Sequence, residues 1–138
     1  MNGCIFCAII NGELPSYKLY EDGLYIAIFD RYPVCVGHTL LIPKIHSKDL
    51  FDLPRNYAEA LMPLAQKTAA AINKAFGCDG LNLLQNNGDA AGQAVGHFHL
   101  HLIPRYVGDA GLFTYKKRDD LGSNEFEAAL NKIIKFLK

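Results

Sequence analysis

The sequence predicts an α+β fold: an antiparallel sheet of about five strands, one long helix packed on it and a C-terminal helix. Short β-rich runs fill the first third of the chain and return after residue 80. Between them lies one stretch whose apolar residues recur at spacings of three and four, and a second helical stripe follows near the C-terminus. The 138 residues are half hydrophobic and a fifth charged, a globular balance. No repeat, low-complexity tract or linker breaks them, so residues 1–138 are expected to form one domain.

Residues 4–11 suit a short helix that ends in "NGELPS". "YKLYED" and "LYIAIFD" read as strands joined by Asp22-Gly23, a hairpin signal. "HTLLIPK" (38–44) is a third, with Pro43 tolerated at its end. His38, leading that strand after Gly37, reads as structural. Tyr57, Leu61, Leu64, Thr68, Ile72 and Phe76 then form one helical stripe, with Asp52 placed to cap it, Pro63 to kink it and Gly77 to end it. "LNLLQNN" (81–87) returns to strand, and the polar loop "GDAAGQAV" leads to a last strand at 97–103. "YKKRDDLGS" reads as a solvated loop. Phe126, Leu130, Ile133, Ile134 and Leu137 mark the final helix, with Asn124 and Glu127 spaced as a capping box.

Fourteen basic residues balance fourteen acidic ones, which leaves no basic excess for nucleic acid or an anionic membrane. No apolar run approaches the ~20 residues of a membrane span, and no secretory leader pattern opens the chain. The expected setting is cytoplasmic, where thiols stay reduced. The four cysteines are therefore read as metal ligands or core residues before disulfides. Cys4 and Cys7 make a C-x-x-C, half of a metal site, with a redox-active or simply packed pair as the alternatives. Cys35 and Cys78 read as buried free thiols.

Three of the five histidines alternate in "HFHLHLI": His97, His99 and His101. On a strand they share one face at roughly 6.5–7 Å spacing, while Phe98, Leu100 and Leu102 point into the core beneath the long helix. Such a row suits either a metal site or nucleophilic catalysis, in which one neutral imidazole attacks and its neighbours orient it. No carboxylate lies close by in sequence to complete a metallohydrolase site. The preceding loop supplies Asn86, Asn87, Gly88, Gly92 and Gln93, small residues and amide donors suited to a phosphate, which favours phosphoryl chemistry.

With its H-φ-H-φ-H-φ-φ run, the sequence resembles the histidine triad (HIT) superfamily of nucleotide hydrolases and transferases, in its bacterial, zinc-containing branch. "IFCAIINGELPSYKLYED", "IAIFD", "GHTLLIPKIH" and "GLNLLQNNGDAAGQAV" are similar to family segments in family order, over about residues 4–106. The resemblance implies that His97, His99 and His101 are catalytic. His99 would attack an α-phosphorus to form a nucleotidyl-histidine, and His101 would contact the phosphate oxygens. It places Asn86 and Gln93 on the phosphate and bridging region and counts Gly92 and Val95 among the nucleotide-binding residues. It puts Asp30 on the ribose hydroxyls, where a carboxylate suits two donors. Asp30 also reads as a turn residue before "RYP". Phe6 and Ile28 would line the base pocket.

The same resemblance implies a structural zinc held by Cys4, Cys7, His46 and His97, a purine nucleotide substrate, and a homodimer joined through the long helix and a sheet edge. The substrates implied are nucleoside phosphoramidates, aminoacyl-adenylates or dinucleoside polyphosphates. One departure stands out: Ala94 follows Gln93 where many members carry Ser or Thr, a hydroxyl that handles the leaving group. Ala94 motivates a rival reading, a non-catalytic nucleotide-binding interaction module. A zinc hydrolase using the triad as ligands is a third.

Overall fold

The computed structural model describes residues 3–111 and 118–137, so part of the expected 115–123 loop lies outside the described residues. Among the described residues, five strands form one antiparallel sheet ordered β1-β2-β3-β5-β4: β1 (Lys18–Glu21), β2 (Tyr25–Phe29), β3 (Thr39–Pro43), β4 (Gly80–Leu84) and β5 (Leu100–Arg105). The helices are α1 (Ile5–Ile10), α2 (Arg55–Phe76) and α3 (Ser123–Ile134). Asp22 closes the β1–β2 hairpin, its carboxylate accepting from the N–H groups of Leu24 and Tyr25.

Period-two alternation divides the core between the faces of the sheet. Tyr25, Ala27, Leu41, Leu100 and Leu102 pack with Leu64, Ala65 and Ile72 of α2. Ile26, Ile28, Leu40 and Ile42 pack with Phe6 of α1 and with Val95. The buried Tyr25 hydroxyl donates to the Tyr57 carbonyl at 2.7 Å and ties β2 to the first turn of α2. Gly77 ends α2 in the left-handed conformation at φ 59°, as its sequence position predicts, and α2 continues through Pro63.

Four local expectations are corrected. The histidine strand starts at Leu100 rather than at residue 97, because its pairing with β3 ends at Leu41–Leu100. Beyond that point Pro43 has no N–H to offer, and its carbonyl is taken by the His97 ring. Asp52 does not cap α2. Its carboxylate accepts from the N–H groups of Lys48 and Asp49 around a separate short turn, and α2 begins after Pro54. β4 stops at Leu84 because Gln85 and Asn87 hydrogen-bond each other's side chains. The expected capping box at Asn124 and Glu127 is replaced by a one-sided cap at Gly122, whose N–H donates to the Glu125 carboxylate. In addition, Cys35 and Cys78 are half-buried rather than buried.

Candidate active site and metal centre

All three triad histidines lie on the α1 side of the sheet, and that side is not open to solvent: His97 is 0% exposed and His99 is 7% exposed. The Phe6 ring stands edge-on to both, with centroids 5.8 Å from His97 and 5.1 Å from His99. Phe6, Ile28 and Val95 share one apolar cluster beside His99.

Burial pushes His38, His97 and His99 below the ordinary histidine pKa. His101 is pushed down to about 4, by burial first and then by His99 and His38, against the pull of Asp30. At neutral pH each ring is therefore uncharged, with one nitrogen donating and the other accepting. The surrounding backbone decides which. His97 donates from Nε2 to the Pro43 carbonyl at 2.9 Å, so its Nδ1 lone pair faces the sulfurs of Cys4 and Cys7. His99 donates from Nδ1 to the His97 carbonyl at 2.7 Å, which leaves a bare lone pair on Nε2. His38 accepts from the Val34 N–H on Nδ1 at 3.1 Å, so its Nε2–H donates to Nδ1 of His101 at 2.9 Å. His101 consequently carries its own hydrogen on Nε2.

That chain ties His38, which the sequence reads as structural, to the last histidine of the triad. β3 alternation was the available signal: His38 and Leu40 lie two apart, and Leu40 belongs to the α1-side cluster. Gly37 sets the entry, at φ +94° with the Phe76 ring 2.8 Å from where a Cβ would stand. His38→Ala is expected to lower turnover by about 10- to 100-fold, the usual cost of losing a group that orients a reactive one. His38→Gln, which keeps an N–H donor, should recover part of the loss. Equal rates for both variants and wild type would contradict the assignment.

Asp30 serves two roles at once. One carboxylate oxygen accepts from the Tyr32 N–H at 2.9 Å, the turn role, and the other faces His38 at 3.5 Å and His101 at 3.8 Å. Asp30, His38 and His101 are close enough together to suggest a second metal site. The Val34 N–H argues against it, because it fixes the hydrogen on the His38 nitrogen that would have to ligate. Gln93 is fully engaged within its loop: its oxygen accepts from Gly88, and its amide donates to the carbonyls of Lys48 and Val95. Its side chain is a strut of the loop before β5, while Ala94 and Gly96 stay exposed. Gly92 turns the loop at φ +87°, and the Asn86 amide lies 3.4 Å from its carbonyl.

Cys4, Cys7, His46 and His97 converge beside the triad, each offering one ligand atom, all within 4.8 Å of one another. Cys7 Sγ lies 3.3 Å from His46 Nδ1, and Cys4 Sγ lies 3.4 Å from His97 Nδ1. Two sulfurs and two imidazoles suit a tetrahedral cation. Burial and the Cys4 sulfur raise the Cys7 thiol above its ordinary value, a cost that a divalent cation offsets by stabilising the thiolate. The donor set fits a metal ion. An open cavity of about 380 Å³ separates Cys4 and His46 from Ala94, Val95 and Gly96.

The low His101 pKa has a consequence for stability. An unfolded histidine titrates near 6.5 and the folded one near 4, so the unfolded chain binds the extra proton first as the medium acidifies. His101's contribution is complete above pH 6.5 and is lost as the pH falls towards 4, on the order of 3 kcal/mol in all. Urea unfolding across that window should show this decline, and a His101→Asn variant should show a shallower one. Identical slopes would refute it.

The sequence profile described as the HIT domain matches residues 11–108. The chain is 44% identical over 124 residues to the protein named adenylylsulfatase HINT3 of Arabidopsis thaliana, covering 90% of this chain and 58% of that one. It is 45% identical over 109 residues to adenosine 5′-monophosphoramidase HNT1 of Saccharomyces cerevisiae, covering 79% of this chain and 66% of that one. A HIT family protein from Bacillus anthracis superposes with a TM-score of 0.92 at 40% identity, over 99% of both chains. A Zn-bound histidine triad family protein from Mycobacterium smegmatis superposes at 0.76 and 36% identity, over 96% of both. Among the described residues, no helix is long and apolar enough to cross a membrane.

Proposed function

The chain belongs to the HIT family, and on that premise we propose that it hydrolyses or transfers at the α-phosphate of purine nucleotide derivatives through a nucleotidyl-His99 intermediate. One observation carries the reading: the His97 carbonyl holds the Nδ1 hydrogen of His99, which leaves Nε2 as an uncharged nucleophile. Attack by Nε2 forms the N–P bond and expels the leaving group. It also makes the ring cationic, and the same carbonyl stabilises that cation. His101 presents its Nε2–H to a phosphate oxygen or to the departing atom, held in that tautomer by His38. Water then attacks phosphorus, its oxygen and one hydrogen going to the phosphate and its second hydrogen replacing the proton that the leaving group carried off. As the N–P bond breaks, His99 returns to its uncharged form and the nucleoside monophosphate leaves.

Phe6, Ile28 and Val95 supply an apolar wall for the base, and the free Asp30 oxygen is an acceptor for ribose hydroxyls. Relatives named an adenylylsulfatase and an adenosine 5′-monophosphoramidase support an adenylyl substrate. The direct test is AMP release from adenosine 5′-phosphoramidate by wild type and His99→Ala. Release by wild type alone supports the mechanism. AMP binding with no release by either protein would favour the non-catalytic binding module that Ala94 suggests.

The cation at the Cys4, Cys7, His46 and His97 centre is zinc, which two thiolates and two imidazoles suit and which a Zn-bound relative supports. With four protein ligands the site is closed, so the ion would cross-link α1 to the sheet rather than enter the chemistry.

The chain assembles as a two-fold homodimer. The resemblance places the long helix α2 and a sheet edge at the interface. β4 is an open edge strand carrying a half-exposed Leu83, Met62 of α2 is more than half exposed, and α3 adds Phe126, Leu130, Ile133 and Ile134, all more than half exposed. Leu130→Glu combined with Ile134→Glu should halve the sedimenting mass at micromolar concentration. An unchanged dimer would remove α3 from the interface.

A further inference from the structure

We propose that the metal centre sets the position and tautomer of the nucleophile, so that occupancy at Cys4, Cys7, His46 and His97 is coupled to formation of the nucleotidyl enzyme at His99. The inference rests on the zinc and nucleophile readings above, and it concerns what joins them.

Two short paths connect the sites. The first is a single residue. His97 is clamped at both ring nitrogens, with Nε2–H on the Pro43 carbonyl and Nδ1 facing the cysteine sulfurs, and its own backbone carbonyl accepts the His99 Nδ1–H at 2.7 Å. His97 thus joins a metal-facing ring to the carbonyl that decides which His99 nitrogen is bare, so displacement of that residue as a whole moves the acceptor. The second path is α1. Cys4 is its N-cap, accepting from the Cys7 N–H, and Phe6 between the two cysteines packs edge-on against both His97 and His99. At six residues α1 is too short to hold itself, so ligation through Cys4 and Cys7 fixes where the Phe6 ring stands.

The consequence is kinetic. Releasing the ligands frees the His97 carbonyl and the Phe6 wall together, and His99 then divides its time between tautomers and orientations. Misplacement by about 1 Å at a reacting group costs up to about 100-fold in rate. AMP affinity should respond less, because Asp30 and Ile28 stand on β2 and the loop that follows it.

The test uses the full chain with zinc content measured first. In the ¹⁵N-histidine spectrum of the loaded protein, His99 should show a protonated Nδ1 and a bare Nε2. After chelation, at a temperature where backbone amides report an intact sheet, those two signals should move towards averaged values. The pre-steady-state rate of adenylyl-enzyme formation should fall about 10- to 100-fold. Unchanged His99 signals with zinc demonstrably removed would overturn the coupling and leave the zinc reading intact. Absence of stoichiometric zinc would overturn both. The tautomer readout holds even if no adenylyl enzyme forms, so failure of the nucleophile reading is told apart from failure of the coupling. Should the stripped protein unfold, cobalt-substituted protein decides: adding AMP is expected to shift the visible cobalt bands, and no shift would overturn the proposal.

Discussion

Replacing His99 with alanine is expected to lower turnover of an adenylyl substrate by about 10⁴-fold or more, the order of loss when a covalent nucleophile is removed. No other imidazole can replace it. His97 has both ring nitrogens directed elsewhere, at the Pro43 carbonyl and at the sulfurs. His101 has its Nδ1 lone pair occupied by His38. AMP should still bind, since the apolar cluster of Phe6, Ile28 and Val95 and the carboxylate of Asp30 remain. The informative comparison is kcat against AMP affinity. A variant that keeps more than a tenth of wild-type turnover would show that the chemistry does not pass through this ring.

The second large effect is on stability. Cys4→Ser removes one of four candidate ligands while keeping a hydroxyl that can still cap α1, so the loss reports on ligation rather than on the cap. Structural zinc sites contribute several kcal/mol to folding, so a fall in Tm of roughly 10 °C is expected. A chelator should lower the wild-type Tm towards that of the variant and leave the variant itself little changed. Equal melting temperatures, together with wild-type protein that carries no zinc, would show that the cluster is packing alone.

Much of this site was legible because its signals are local. Alternation placed the three histidines on one face, and the helical stripe from Tyr57 to Ile72 meets the sheet as its spacing implies. The parts that were misread depend on which of two nearby groups wins a contact. Asp52 reads as the helix cap, but the short turn takes its carboxylate and α2 begins after Pro54. The ladder expected from residue 97 fails because a side chain, the His97 ring, takes the carbonyl that the strand would need. Gln93, which the resemblance places on the phosphate, also hydrogen-bonds Gly88, Lys48 and Val95, partners that only the folded loop brings near. The His38–His101 hydrogen bond was not legible because its direction is set by one backbone N–H, that of Val34, which no residue identity encodes.

The metal centre shows the same division. C-x-x-C is visible within four residues, whereas His46 and His97 reach it through the β2–β3–β5 pairing and the loop after Pro43. The resemblance supplied that ligand set in advance, and the folded chain brings the four ligand atoms to within 4.8 Å of one another.

The most direct test of the account is to mix the protein with adenosine 5′-phosphoramidate, quench within one turnover and map the modified peptide by mass spectrometry. The account predicts one adenylyl group on the peptide spanning Val95 to Arg105, assigned by fragmentation to His99 and absent from His99→Ala. AMP release with no covalent adduct at any quench time, or an adduct on His97 or His101, would contradict it.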